Sequence, residues 1–135
     1  MASSVESIEG IGPVLAGKLR GVGIETVEAL LEAARRPAGR RQLAEKLDLP
    51  AQLILRWANH ADLCRISGVG SQFSELLEAA GIDTVRELRN RNAANLATKL
   101  ARINSTRKLS QRTPSGEVVQ DWIDQANRLA PALEY

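Results

Sequence analysis

One phrase occurs twice in this chain, and the repetition limits the fold more than any other feature. The segment IEGIGPVLAGKLRGVGIETVEALL (Ile8–Leu31) returns 58 residues later as ISGVGSQFSELLEAAGIDTVRELR (Ile66–Arg89), with nine identities in 24 ungapped positions. The identical residues are Ile8, Gly10, Gly12, Leu19, Gly23, Ile24, Thr26, Val27 and Leu30. Eight of the nine are apolar residues or glycines, the types that set cores and turns, rather than surface charges. The echo continues with small shifts: LAEKL at Leu43–Leu47 answers LATKL at Leu96–Leu100, and LILRWANHA at Leu53–Ala61 answers VVQDWIDQA at Val118–Ala126. The second copy also carries an insertion, RINSTRKLSQRT, at Arg102–Thr113. A self-similar chain of 135 residues divides into two copies of one unit, residues 1–64 and 65–135. Units this small bury little surface alone, so the two are expected to pack as one compact domain with approximate two-fold symmetry.

Sustained period-2 alternation is absent, so the expected fold class is all-α. In the first copy a short helix near Ser4–Ile8 leads into Glu9-Gly10-Ile11-Gly12. Pro13 suits the first position of the next helix, where its missing N–H is no loss. Gly23 is placed to end that helix in a left-handed conformation, and Thr26 to cap a further helix through about Arg35. RRPAGR (Arg35–Arg40) reads as a break before a helix at Leu43–Leu47, and Pro50 as the start of the Trp57 helix. In the second copy Ser71 replaces Pro13, while Gly81 and Thr84 keep the stop and start signals. The Trp helices show apolar stripes, Leu53, Trp57, Ala61 and Cys64 in one and Val118, Trp122, Ala126 and Leu129 in the other. Trp57 and Trp122 occupy matching positions on these stripes, and Phe73 stands where the first copy has Leu15, so all three read as core anchors rather than base-stacking platforms.

The doubled pattern of two helices around hydrophobic-Gly-hydrophobic-Gly resembles the helix-hairpin-helix motif. Its residues are Ile8, Gly10, Ile11, Gly12, Leu15, Leu19, Gly23 and Ile24, then Ile66, Gly68, Val69, Gly70, Phe73, Leu77, Gly81 and Ile82. Over its length the chain resembles an uncharacterised bacterial domain-of-unknown-function family of tandem helix-hairpin-helix proteins. That resemblance implies sequence-nonspecific binding to the phosphate backbone of DNA, and a monovalent cation held by hairpin carbonyls. Elementary chemistry fits such a use. Glycine lets the backbone approach a phosphate closely, and successive N–H groups in a tight turn, with a helix N-terminus behind them, attract an anion.

The copies differ in charge. The first hairpin has Glu6 and Glu9 beside it and lacks an N–H at Pro13, with Lys18 and Arg20 a turn further on. The second has Arg65 before it and a hydroxyl at Ser71, against Glu75 and Glu78. Val14 and Gln72 stand where the motif often has a cation. The formal net charge is only +2, yet residues 86–112 hold eight Lys and Arg against Glu87 alone. A basic surface of that kind supplies the sequence-independent part of nucleic-acid affinity. The candidate nucleic-acid-binding residues are therefore Arg65, Gly68, Val69, Gly70 and Ser71, with Arg86, Arg89, Arg91, Lys99, Arg102, Arg107, Lys108 and Arg112. Gly10, Ile11, Gly12, Lys18 and Arg20 form a secondary hairpin site. A lesser cluster, Arg35, Arg36, Arg40 and Arg41, is expected in a loop.

Enzyme chemistry finds little support. His60 and Cys64 are the only His and Cys, too few for a closed zinc site. No P-loop, dinucleotide fingerprint or nucleophile elbow appears, and Asp121 and Asp124 lack companions. Neither the N-terminus nor any later stretch reads as a signal peptide or membrane span, so the expected location is the cytoplasm. The expected function is a non-catalytic, sequence-nonspecific nucleic-acid-binding module without a small-molecule substrate. The alternative is a helical protein–protein adaptor whose hairpins are purely architectural.

Overall fold

The computed structural model describes residues 3–135; Met1 and Ala2 of the expected first unit lie outside the described residues. The fold is all-α. Eight α-helices follow a 3-10 turn at Val5–Ser7, and among the described residues there is no strand, only a bridge between Ser4 and Thr26. The helices are α1 (Pro13–Gly21), α2 (Val27–Ala33), α3 (Pro37–Leu47), α4 (Ala51–Leu63), α5 (Ser71–Ala79), α6 (Val85–Leu88), α7 (Ala93–Arg107) and α8 (Gly116–Arg128). They fall into two compact units. One comprises the residues through Asp62 with Ala132–Tyr135, the other Leu63–Pro131.

In the first unit the start and stop signals act locally. Pro13 is the first residue of α1, and the Thr26 side chain accepts from the Ala29 N–H at 3.0 Å, capping α2. Val5, Ile8, Ala16, Leu19, Leu30, Ile54 and Trp57 are buried. The expected loop at RRPAGR is instead largely helix. Arg36 is the N-cap, Pro37 opens α3, and Arg40 and Arg41 lie within it. Proline acts here as a helix starter, the same role it has at Pro13. Gly39 lets α3 approach the end of α2, since a Cβ there would meet the Ala33 carbonyl oxygen at 2.4 Å.

Arg40 is buried and organises the C-terminal tail. Its Nη1 donates to the carbonyls of Ala34 (3.0 Å) and Arg35 (3.2 Å), and its Nη2 to that of Glu134 (2.8 Å). The Glu134 N–H returns a bond to the Arg35 carbonyl at 2.8 Å, and Arg36 pairs with the Glu134 carboxylate at 3.2 Å. Burial lowers the Arg40 pKa, opposed by Tyr135, whose ring lies 5.6 Å from the guanidinium. A guanidinium on helix-terminal carbonyls fills acceptors that the helix leaves open.

The second unit closes around one apolar cluster, with Leu63, Ile66, Leu76, Leu77, Ile82, Leu88, Leu100, Val119 and Trp122 among its buried members. Helices α5 and α8 both pack on α7, and α6 packs on α8. The Trp122 ring meets Phe73 at 5.2 Å between centroids, tilted by 55°. Val118 departs from the expected stripe and is 42% exposed. The buried face of α8 is Val119, Trp122, Ile123 and Ala126, the i, i+3, i+4, i+7 set that a period of 3.6 residues aligns. Thr84 precedes α6 without a side-chain cap on its backbone. Glu87 serves that helix start instead, accepting from the Asp83 N–H at 3.1 Å.

The expected insertion, Arg102–Thr113, is tied into the second unit. Its first half prolongs α7 to Arg107, and Lys108 ends the helix in the left-handed region at φ 50°. The loop beyond is tied to buried Asn104. The Asn104 amide donates to the Ser110 carbonyl (3.1 Å) and the Thr113 hydroxyl (3.2 Å), while its Oδ1 accepts from the Ser110 N–H (2.9 Å).

Candidate nucleic-acid interface

The two glycine hairpins have matching backbones. Gly10 and Gly68 lie at φ 92° and 96°, and Gly23 and Gly81 at 85° and 88°. The Ile11 N–H donates to the Ile8 carbonyl and the Val69 N–H to that of Ile66, both at 3.1 Å. Ala16 bonds back to Gly12 and Ser74 to Gly70, both at 2.9 Å, and Ile24 to Leu19 as Ile82 to Leu77, again both at 2.9 Å. Sequence explains the agreement. The positive-φ positions carry glycine, the one residue indifferent to that region, and Ile8, Ile11, Leu19 and Ile24 are buried, as are Ile66, Val69, Leu77 and Ile82.

What surrounds each hairpin differs. Neither Gly12 nor Gly70 can offer a side-chain cap. The N–H groups of Ser71, Gln72 and Phe73 therefore have no protein partner among the described residues. In the first hairpin Pro13 has no N–H, leaving those of Val14 and Leu15. Arg20 of the secondary site pairs with Glu6 at 3.2 Å, while Lys18 is exposed. Around the second hairpin, Gly68, Gly70, Ser71, Gln72 and Phe73 line one side of an open cavity of about 390 Å³. Ser110, Gln111 and Arg112 of the insertion line the other side. The Gln72 Oε1 joins the two, accepting from the Ser110 hydroxyl (3.3 Å) and the Gln111 N–H (3.1 Å).

Among the basic residues expected at the site, the structure separates two groups. Arg65 and Arg89 hold the end of α8: Arg65 Nη2 donates to the Ala130 carbonyl at 2.6 Å and Arg89 Nε to that of Ala126 at 2.9 Å. Arg89 Nη2 also reaches the Leu129 carbonyl. Arg86, Arg91, Lys99, Arg102, Arg107, Lys108 and Arg112 are exposed. Among the described residues these seven join no ion pair. Arg112 alone of the seven lines the hairpin cavity. In the lesser cluster Arg40 is buried and Arg36 paired, as described above, leaving Arg35 and Arg41 exposed.

Two participants are not legible in the sequence. Gln72 reads there as a missing cation, and nothing local marks it as the acceptor for a loop 38 residues on. Asn104 reads as part of an insertion, yet it is 8% exposed and fixes that insertion.

The family model named Domain of unknown function (DUF4332) matches residues 9–129, a span that takes in the glycines of both hairpins and the whole of all eight helices. The chain belongs to this family. No curated protein and no solved structure matches it. For this DUF4332 member, no group of three or more His, Cys, Asp or Glu is placed to hold a metal among the described residues, and His60 is buried in α4. Nor, among those residues, is any helix long and apolar enough to cross a membrane.

Proposed function

We propose that the chain is two fused copies of a helix-hairpin-helix unit and acts as a non-catalytic, sequence-nonspecific module that binds the nucleic-acid phosphate backbone. The observation that carries the reading is the cavity where the second hairpin, with its unpartnered N–H groups, meets Arg112 of the basic insertion. A phosphate there faces backbone donors on one side and a guanidinium on the other, and hydrogen bonds to charged groups are the stronger kind. Lys99, Arg102 and Arg107 on α7 and Lys108 at its cap are exposed as well and add to the positive charge of this unit. The recurrence of the same backbone bonds at matching positions supports the duplication. A monovalent cation, which the motif resemblance implies, would be held by the Gly68 and Val69 carbonyls, which accept no hydrogen bond among the described residues. Bound there, it would offset phosphate charge.

Titrating random-sequence duplex DNA at several salt concentrations tests the proposal. Neutralising about four phosphates gives a slope of log K against log salt near −3.6, with little sequence preference. Charge reversal at Arg107 and Lys108 should flatten that slope. No binding at low salt refutes the reading.

A second reading, the protein-binding adaptor, has one observation in its favour. Val14, at the tip of the first hairpin, is 76% exposed beside Pro13, an apolar spot of little use to a phosphate. An adaptor keeps its associations in a nuclease-treated extract, whereas a nucleic-acid binder loses them.

A further inference from the structure

The end of α7 and the loop that follows it concentrate charge without neutralising it. Arg107, Lys108 and Arg112 are exposed, and among the described residues none meets a carboxylate. Like charges this close repel, and a flexible loop would relieve the repulsion by spreading. This loop is held at two points instead. Asn104, buried, makes three bonds to its inner side, donating two and accepting one, and Gln72, exposed on the hairpin helix, accepts two from its outer side. An exposed glutamine side chain loses rotamer freedom when fixed, so two bonds from it to a basic loop indicate that the position of that loop matters. The result is that Arg112 is kept at the rim of the hairpin cavity.

We propose that Gln72 is a positioning residue. It holds the insertion against the second hairpin so that Arg112 supplies the cation for a nucleic-acid phosphodiester bound in that cavity. The inference rests on the nucleic-acid reading and deepens it. The two hairpins thus acquire different roles through Gln72, which stands where the first has Val14, together with the insertion it holds: the first hairpin lacks an N–H at Pro13, has no such loop and pairs its Arg20 with Glu6.

Three variants separate contact from positioning, measured by anisotropy of a fluorescent random-sequence DNA duplex across a salt series, with thermal melts to verify folding. Arg112→Ala removes a phosphate contact and should make the slope shallower by about 0.9 while weakening binding about eightfold near 0.1 M salt. Gln72→Ala removes two hydrogen bonds but no charge, so affinity should fall about fivefold with the slope unchanged. A merely structural glutamine would lower the melting temperature and leave affinity alone. Gln72 and Arg112 line the same cavity, so Gln72→Lys placed on the Arg112→Ala background should restore the slope. If wild type binds duplex but Gln72→Ala binds equally well and the lysine restores nothing, the positioning role is overturned and the wider reading stands. If wild type binds no duplex at low salt, both fall.

Discussion

Replacing Lys108 with glycine should make the protein more stable and a weaker DNA binder, two effects of opposite sign from one substitution. Lys108 terminates α7 with φ 50° and ψ 49°, its N–H bonded to the Asn104 carbonyl at 2.9 Å. A side chain in the left-handed region costs about 1–2 kcal/mol, and glycine removes that cost. Glycine also widens the unfolded ensemble, which takes back about 0.4–1 kcal/mol. The net expectation is a gain of about 0.5–1 kcal/mol, read as a rise of roughly 2–5 °C in Tm for a chain of this size. The Lys108 ammonium is exposed and unpaired among the described residues. If it neutralises one phosphate, its loss makes the salt slope shallower by about 0.9 and weakens binding about eightfold near 0.1 M salt. Differential scanning fluorimetry and the DNA titration read the two halves independently. Asp48, at φ 54° and ψ 50° after α3, is the control. Asp48→Gly should stabilise by less, because aspartate tolerates this region better, and should not weaken DNA binding. A Lys108→Gly protein that melts lower refutes the conformational argument. One that melts higher but binds DNA with unchanged affinity and slope removes Lys108 from the interface.

Other substitutions address the hairpins and the insertion. Gly70→Glu should abolish most DNA binding without unfolding, because a Cβ at Gly70 meets nothing within 4 Å and its φ is −101°; a circular-dichroism melt beside the titration checks both halves. Gly68→Ala should destabilise by about 1–3 kcal/mol, more than Gly10→Ala at about 1–2 kcal/mol. Both have positive φ, but only at Gly68 does the new Cβ press on Trp122 Nε1, at 3.3 Å; equal losses in chemical denaturation would contradict that. Asn104→Ala removes three hydrogen bonds from a buried amide, at a cost of about 1.5–4 kcal/mol. Amide exchange should then show the Leu109–Thr113 segment losing protection before α7 does.

Local signals in the sequence determine much of this protein. The helical class, the starts at Pro13 and Thr26, the turns at Gly10, Gly23, Gly68 and Gly81, and the burial of Trp57 and Trp122 all follow from residues a few positions apart. Caps, positive φ and the 3.6-residue period act within a turn or two of helix, so one short window contains both cause and effect. Even there, proline is ambiguous. RRPAGR reads as a break in the sequence, but Pro37 opens α3 there, and Gly39 lets that helix pack against the end of α2.

The fate of the charges is decided elsewhere. Eight basic residues between 86 and 112 are equivalent as letters, but Arg89 closes the end of α8 while Arg112 reaches the hairpin cavity. Arg40 reads in the sequence as a loop cation, yet it is buried against a tail 94 residues away. Gln72 gains its meaning from a loop 38 and 39 residues on. A guanidinium or an amide takes whichever partner the packed backbone brings within about 3 Å. That distance is set by the whole unit, so composition and spacing reveal how much charge the chain carries, and only the tertiary structure decides which of it remains available to a ligand.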